Sequence, residues 1–332
     1  MKKHAVLVVG GAGYVGSQMV IELLQAGHEV VVLDDLSRGH RDLLAGGSFI
    51  EGDLGDNSLL DDIFSRHRIS TVMHFAAFSL VGESVVKPLE YYRNNVAKTT
   101  ELLAAMLRHQ VRNFIFSSTA AVYGEPHNME ALSEKNPCHP TNPYGATKLA
   151  VERMLSDTAA SGDFRYVSLR YFNAAGADPS GKAGERHDPE THLIPLVLQV
   201  ATGERQAIQI YGTSYPTPDG TCIRDYVHVS DLAQAHLLAL DHLLKGGANA
   251  VYNLGNNKGY SVREVIETAR RVTKHSIPAV EADRRSGDPA FLVADSGKIR
   301  RELGWEPRYE SLENIINTAW AWHQKEAARK TR

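Results

Sequence analysis

A chain of 332 residues, 43% hydrophobic and 23% charged, has the make-up of a globular protein large enough for two lobes. Its formal net charge of −3 offers no general attraction for nucleic acid or an anionic membrane surface. The two cysteines, Cys138 and Cys222, have neither disulfide-framework density nor zinc-ligand spacing, and no metal centre is expected.

The chain opens "MKKHAVLVVGGAGYVGS", basic residues before an apolar run that soon breaks into glycines. The run is too short for a membrane span, as is every later one, and a cytoplasmic protein is the expectation. The first half then alternates. Short β-branched runs at 5–9, 29–34, 71–75 and 113–118 are separated by segments of helical period, among them 15–27 and 91–110. Such alternation predicts right-handed βαβ units and a parallel, doubly wound α/β sheet, with 166–172 as a further strand.

Beyond residue 173 the texture changes. A Gly-, Pro- and charge-rich loop (173–192) precedes a helix near 190–202, a strand at 207–211 and a second loop at 212–221. Helices are expected at 229–244, with Ser230 or Asp231 as N-cap, at 261–272 and at 311–324. Loops this long in a compact domain are commonly functional. The expected division is 1–173, with returning segments at about 229–255, and a smaller interleaved lobe over most of 174–332.

The first glycine-rich turn carries Gly11, Gly13 and Gly16 as G-x-G-x-x-G, and equally Gly10, Gly13 and Gly16 as G-x-x-G-x-x-G, between a strand and a helix, the context in which such a pattern is informative. Glycines there let backbone N–H groups approach a pyrophosphate at the helix N-terminus. Asp34 follows 18 residues after Gly16, at the end of the second strand, where a carboxylate can accept from ribose hydroxyls. That carboxylate would repel the 2′-phosphate of NADP, so NAD is favoured; Arg38 and Arg41 lie close enough to counter it or to be plain loop charges. Asp53 reads equally as an adenine contact and as a helix N-cap.

"NPYGATKLA" (142–150) sets Tyr144 and Lys148 on one face of a helix started by Pro143. Among 13 tyrosines the spacing alone is weak, and its placement carries the weight. A lysine beside a phenol favours the phenolate, which would lower the tyrosine pKa toward neutrality and make a general base. "FSSTAAVYG" (116–124) puts Ser117, Ser118 and Thr119 at the carboxyl end of a strand, where parallel sheets bind ligands. One of these hydroxyls can hold a substrate oxygen, and at least one is expected to bond its own backbone.

Taken together, Gly10-Gly-Ala-Gly13-Tyr-Val-Gly16, Ser117-Ser-Thr119 and Tyr144-Gly-Ala-Thr-Lys148 resemble the extended short-chain dehydrogenase/reductase superfamily. "VGESVVKPLEYYRNNV" (81–96), "LRYFNAAGADPSG" (169–181), "IYGTSYPTPDGTCIRDYVHVSDLA" (210–233), "YNLG" (252–255) and "RRSGDPA" (284–290) narrow this to its UDP-glucose 4-epimerase family, over residues 4–323. The resemblance implies a Rossmann-like fold and a homodimer formed through the helix at 91–110 and the one after Tyr144. It also implies tightly held NAD that takes a hydride from C4 of a UDP-hexose and returns it to the opposite face of a 4-keto sugar.

By the same resemblance Tyr144, Lys148 and Thr119 are catalytic. Tyr14, Val15, Asp35, Leu54, Phe75, Ala76, Ala77, Asn94, Ser117 and Tyr171 join the glycines, Asp34 and Asp53 around NAD. Asn173, His192 and Leu193 would line the hexose–diphosphate region, and Tyr211, near Gln209, the uracil. Arg224 and Arg285 would neutralise the pyrophosphate, and Asp288 would hold the uridine ribose. Ser79 stands where the family often has a lysine touching the nicotinamide side. Leu292 stands where enzymes that exclude a 2-acetamido group have a bulky aromatic, so N-acetylated UDP-hexoses are a further expected substrate.

Three other readings stay in view. A 4,6-dehydratase would need an acid pair where Ala120-Ala121 stand, and a non-catalytic NAD sensor would not need the Tyr/Lys pair. Epimerases of UDP-pentoses or UDP-uronates share nearly all the motifs.

Overall fold

The structure is a computed structural model, and it describes residues 5–126, 128–285 and 287–330. Seven parallel strands form the central sheet: β1 (Ala5–Val9), β2 (Glu29–Asp34), β3 (Ser48–Glu51), β4 (Ile69–His74), β5 (Asn113–Thr119), β6 (Arg165–Tyr171) and β7 (Ala250–Leu254). Their order across the sheet is β7-β6-β5-β4-β1-β2-β3, so the chain reverses its direction of winding beside β1. A crevice at such a switch point, above the carboxyl ends of the strands, is where open α/β sheets bind ligands.

Central strands read as unbroken apolar runs because both of their faces are covered. In β1 all five residues are buried. Val6 and Val8 join Met19, Leu23, Leu232 and Leu240 on one face. Leu7 and Val9 join Ile63, Leu102, Met106 and Phe114 on the other. The helix Val229–Leu244 belongs to the first of these layers, and β7 extends the sheet beyond β6.

A second core gathers Ile194, Val197, Ile208, Tyr226, Ile266 and Ile315 from the later elements. Small sheets there include Ile223–His228, which lies between Gly259–Ser261 on one side and Phe291–Leu292 on the other and also pairs, through Tyr226–His228, with Asn173–Ala175. The helices expected in this half form at Leu193–Ala201, Val262–Thr273 and Leu312–Lys330. Ser261 caps the second of them in a full capping box with Glu264.

Two local expectations give way. The helix at Val229 is capped by the His228 ring, whose Nδ1 accepts from the Ser230 N–H at 3.1 Å. Asp231 instead accepts the backbone N–H groups of Arg308 and Tyr309, tying this helix to the C-terminal segment. The stretch at 91–110 is Pro88–Tyr92 and Lys98–Arg108 joined through a π turn at Arg93–Ala97. Asn95 in that turn accepts from the Phe78 N–H and donates to the Phe78 carbonyl and to Thr147. A π turn in mid-helix often marks a functional site, and Asn94 within it lines the cavity described below.

Candidate active site

One cavity of about 890 Å³ runs from the glycine turn, past the ends of β4 and β5, to the small sheets of the later elements. It collects every residue singled out from the sequence as a site residue except Asp53. The Asp53 carboxylate is engaged at 2.7 Å by Lys98 and accepts the Gly55 N–H, while the following helix is capped by Asp56. The N-cap reading of Asp53 does not hold, and Asp53 itself stands just outside the cavity lining, which its neighbours Gly52 and Leu54 and its partner Lys98 join.

At the cofactor end the glycines have separate reasons. Gly10 has φ +78°, and a Cβ there would lie 2.4 Å from the Ala76 nitrogen. A Cβ on Gly16 would lie 2.1 Å from the Gly10 carbonyl, so this glycine lets the helix Tyr14–Gln25 sit against the turn. Gly13 is open: its nearest obstacle is 3.4 Å away, and it lines the cavity. No side chain caps the first turn of that helix. An uncapped helix N-terminus beside an open glycine suits a phosphate.

The Asp34 carboxylate accepts the Ala12 and Leu36 N–H groups, each at 2.9 Å, which fixes it at the cavity wall. Burial raises its pKa against the pull of those two donors. A carboxylate has lone pairs beyond these two, so acceptor capacity is left for a ribose. The arginines that could have offset it are committed elsewhere. Arg38 donates to the Asp188 carbonyl and pairs with Glu83, and Arg41 stacks on Phe49 at 4.8 Å.

The Tyr/Lys helix, Pro143–Ala160, starts where Asn142 accepts the Gly145 N–H at 2.9 Å. Gly145 is there for closeness: a Cβ would fall 2.5 Å from the Ala121 carbonyl oxygen. That contact seats Tyr144 against the end of β5. Thr119 spends its oxygen as acceptor for the Ala121 N–H at 3.1 Å, the expected local bond, and still lines the cavity. Lys148 is buried, its ammonium donating to the Ser117 carbonyl at 2.7 Å and lying 4.8 Å over the Phe116 ring.

The expected depression of the tyrosine is not what this geometry produces. Burial raises the Tyr144 pKa, and the adjacent Thr119 hydroxyl opposes that only in part. Lys148 is itself drawn down to about 7 by burial, with the Glu152 carboxylate one turn on pulling the other way. A lysine half-neutral near pH 7 and aimed at a carbonyl is a weak lever on the phenol.

Glu152 was not legible as part of the site. It holds Arg170 through two bonds of 2.9 and 2.6 Å and accepts the Ser118 hydroxyl at 2.5 Å. Arg170 also donates to Tyr123, which donates in turn to Asn253. Tyr171 is similarly backed by His236. The ring's Nδ1 must donate to the Leu232 carbonyl, so Nε2 accepts the Tyr171 hydroxyl at 2.6 Å.

At the far end Arg224 is paired with Asp288, Arg285 lies 3.8 Å over the Tyr211 ring, and the Tyr211 hydroxyl bonds Gln209. Asn173, Leu193 and Leu292 line the stretch between. The loop before Leu193 carries a cluster that sequence reading missed apart from His192: Glu185, His187, Glu190 and His192. Burial disfavours charge on both rings, yet the carboxylates outweigh it and push His187 up to about 9 and His192 up to about 10. Its signal in the sequence is the spacing E-x-H-x-x-E-x-H.

Comparison with known proteins gives the family. Residues 6–255 match the NAD dependent epimerase/dehydratase family. The chain is 57% identical over 321 residues to the UDP-glucose 4-epimerase of Halalkalibacterium halodurans, covering 97% of this chain and 96% of that one. A crystal structure of a UDP-glucose 4-epimerase superposes with a TM-score of 0.95 at 53% identity over 98% of both chains. The Brucella ovis UDP-glucose 4-epimerase in complex with NAD gives 0.93 at 47% identity, over 96% of this chain and 98% of its own. The chain therefore belongs to the NAD dependent epimerase/dehydratase family.

Proposed function

We propose that this protein interconverts UDP-glucose and UDP-galactose, as an NAD-dependent UDP-glucose 4-epimerase. The observation that carries the reading is a single cavity lined at one end by the open glycine turn and Asp34 and at its middle by Thr119, Tyr144 and Lys148. Relatives of that name match nearly the whole chain. NAD, when bound, supplies the acceptor and later the donor of the hydride at the sugar C4.

The chain's own residues do the rest. The first turn of the helix Tyr14–Gln25 and Gly13 receive the cofactor's pyrophosphate, and Asp34 accepts from its adenosine ribose. With Arg38 and Arg41 already committed, a 2′-phosphate would face that carboxylate unopposed, which selects NAD over NADP. Tyr144 takes the proton of the sugar 4-hydroxyl and returns it at the end of the cycle. Thr119 holds the same oxygen. Lys148 anchors the nicotinamide-side ribose. Arg224 and Arg285 leave Asp288 and Tyr211 for the substrate's pyrophosphate, freeing Asp288 for the uridine ribose and the Tyr211 face for uracil.

Replacing Tyr144 by Phe should abolish conversion of UDP-glucose, read by NMR of the products, and leave the fold and NAD content intact. Near-normal turnover would refute the assignment. The enzyme should also purify with NAD and need none added.

Leu292 lines the cavity and is smaller than the aromatic that would crowd a 2-acetamido group, so UDP-GlcNAc is expected as a second substrate. Leu292→Tyr should suppress that activity more than the one on UDP-glucose, and a parent protein inert toward UDP-GlcNAc would sink the idea. We further infer a homodimer in the cytoplasm. Support for the dimer comes from exposed Val85, Val86, Leu89 and Tyr92, apolar residues on the short helices Val81–Val86 and Pro88–Tyr92, which pack beside the helix Pro143–Ala160. Among the described residues no helix is long and apolar enough to cross a membrane.

A further inference from the structure

We propose that Glu185, His187, Glu190 and His192 form a binding site for one divalent transition-metal ion, with zinc the best match to the donors. One ligand atom from each residue lies within 4.8 Å of all the others. A tetrahedral zinc with bonds of about 2.0–2.2 Å separates its donors by about 3.4 Å. The separations here straddle that value. His187 Nδ1 is 3.1 Å from a Glu185 oxygen and 3.7 Å from a Glu190 oxygen, and His192 Nδ1 is 2.8 and 3.0 Å from the same two side chains.

Both nitrogens point into the space between the carboxylates, and the same Glu185 oxygen faces both rings. Without a metal, that arrangement is satisfied by two imidazolium ions whose ring centres lie only 5.1 Å apart. With one divalent cation the rings are neutral, the two carboxylates balance the metal, and the cluster is neutral overall. Two imidazoles and two carboxylates select zinc or a neighbouring transition metal over calcium or magnesium, which prefer oxygen alone.

The surroundings hold the donors in place. The carboxylate side chains are each only 8% exposed. Glu190 is fixed by the N–H groups of Thr191 and His192 at 2.7 and 2.8 Å. The loop's carbonyls are held by Trp322 at Glu185, His40 at Arg186 and Arg38 at Asp188. The guanidinium of the adjacent Arg186 is turned away to Asp42 and Glu326.

The ion would act as a clasp. Glu185, His187 and His192 line the same cavity as Tyr14, and the His187 ring stands edge-on to Tyr14 at 6.1 Å. Closing the loop on a metal fixes the approach to Leu193 and the helix that begins there, at the sugar end of the site.

The test strips the purified wild-type protein with a chelator and titrates it with zinc against a chromophoric competitor. One zinc per chain is expected. Cobalt(II) added to the stripped wild type should give visible d–d absorption of four-coordinate intensity. Glu190→Gln and His187→Gln, each checked for folding by circular dichroism, should weaken zinc binding by at least about tenfold. Bound zinc well below one equivalent in the wild type, six-coordinate cobalt, or undiminished binding in both folded variants would each overturn the proposal.

Discussion

Arg170→Met tests whether the base of the catalytic strand rests on a buried ion pair. Arg170 and Glu152 side chains are 7% and 6% exposed, joined by two hydrogen bonds directly behind Ser118. Methionine fills much of the arginine's volume and removes its charge, so the Glu152 carboxylate is left buried with the Ser118 hydroxyl as its remaining side-chain donor. Breaking one half of a buried pair costs about 3–5 kcal/mol. A whole domain is stable by only about 5–15 kcal/mol, so the folding equilibrium should fall by about 10²–10⁴. Urea unfolding followed by far-UV circular dichroism reads the loss as a lower midpoint.

The charge, rather than the shape, is the cause if the double variant recovers. With Glu152→Met added, the destabilisation should be smaller than the sum of the two single changes by at least about 1.5 kcal/mol. A single-variant cost below about 1 kcal/mol, or strict additivity, would refute the reasoning.

Gly145→Ala drives a methyl to 2.5 Å from the Ala121 oxygen; it should cost about 1–3 kcal/mol in thermal unfolding and, by shifting Tyr144, reduce kcat by roughly 10²-fold. Burial holds His228 and His236 down at about 4 and His74 at about 3, with Lys148 adding to the last. The unfolded chain therefore binds protons that the folded one refuses. Stability should fall as pH drops from about 6.5 toward 4, and His236→Gln should flatten that limb in denaturant titrations. Lys148, at about 7 in the fold, is ordinarily protonated to beyond pH 10 when unfolded, so it lowers stability below pH 7 and progressively less up to about 10. Lys148→Met should remove that slope while abolishing most activity; a parent whose stability is level across this range would contradict the burial of the ammonium.

What sequence reading caught is local in cause. The glycine turn, the apolar strands and the start of the Tyr144 helix each follow from neighbours within a few residues, and the parallel, doubly wound sheet followed from alternation. What it missed depends on partners far along the chain. Ser230 and Asp231 were both sound N-cap types, yet His228 won because Asp231 was claimed by Arg308 and Tyr309. Asp53 was drawn off by Lys98, 45 residues later. The tyrosine's lowered pKa was inferred from the Tyr144/Lys148 spacing and its place at the head of a helix, and burial acts in the opposite direction. Glu152 carries no local signal of its role, which comes from Arg170 and Ser118, 18 and 34 residues away, closing on it in the fold.

The seventh strand of the central sheet, Ala250–Leu254, leaves a mark on how the protein must be made. On the ribosome, β6 emerges with its outer edge bare, and about eighty more residues must appear before Ala250–Leu254 arrives to cover it. Synthesis at about 5–20 residues per second keeps that edge open for several seconds. Nascent chains halted in this window present a template for pairing with one another. Truncation between residues 172 and 249 should therefore yield aggregates rather than a working half-enzyme.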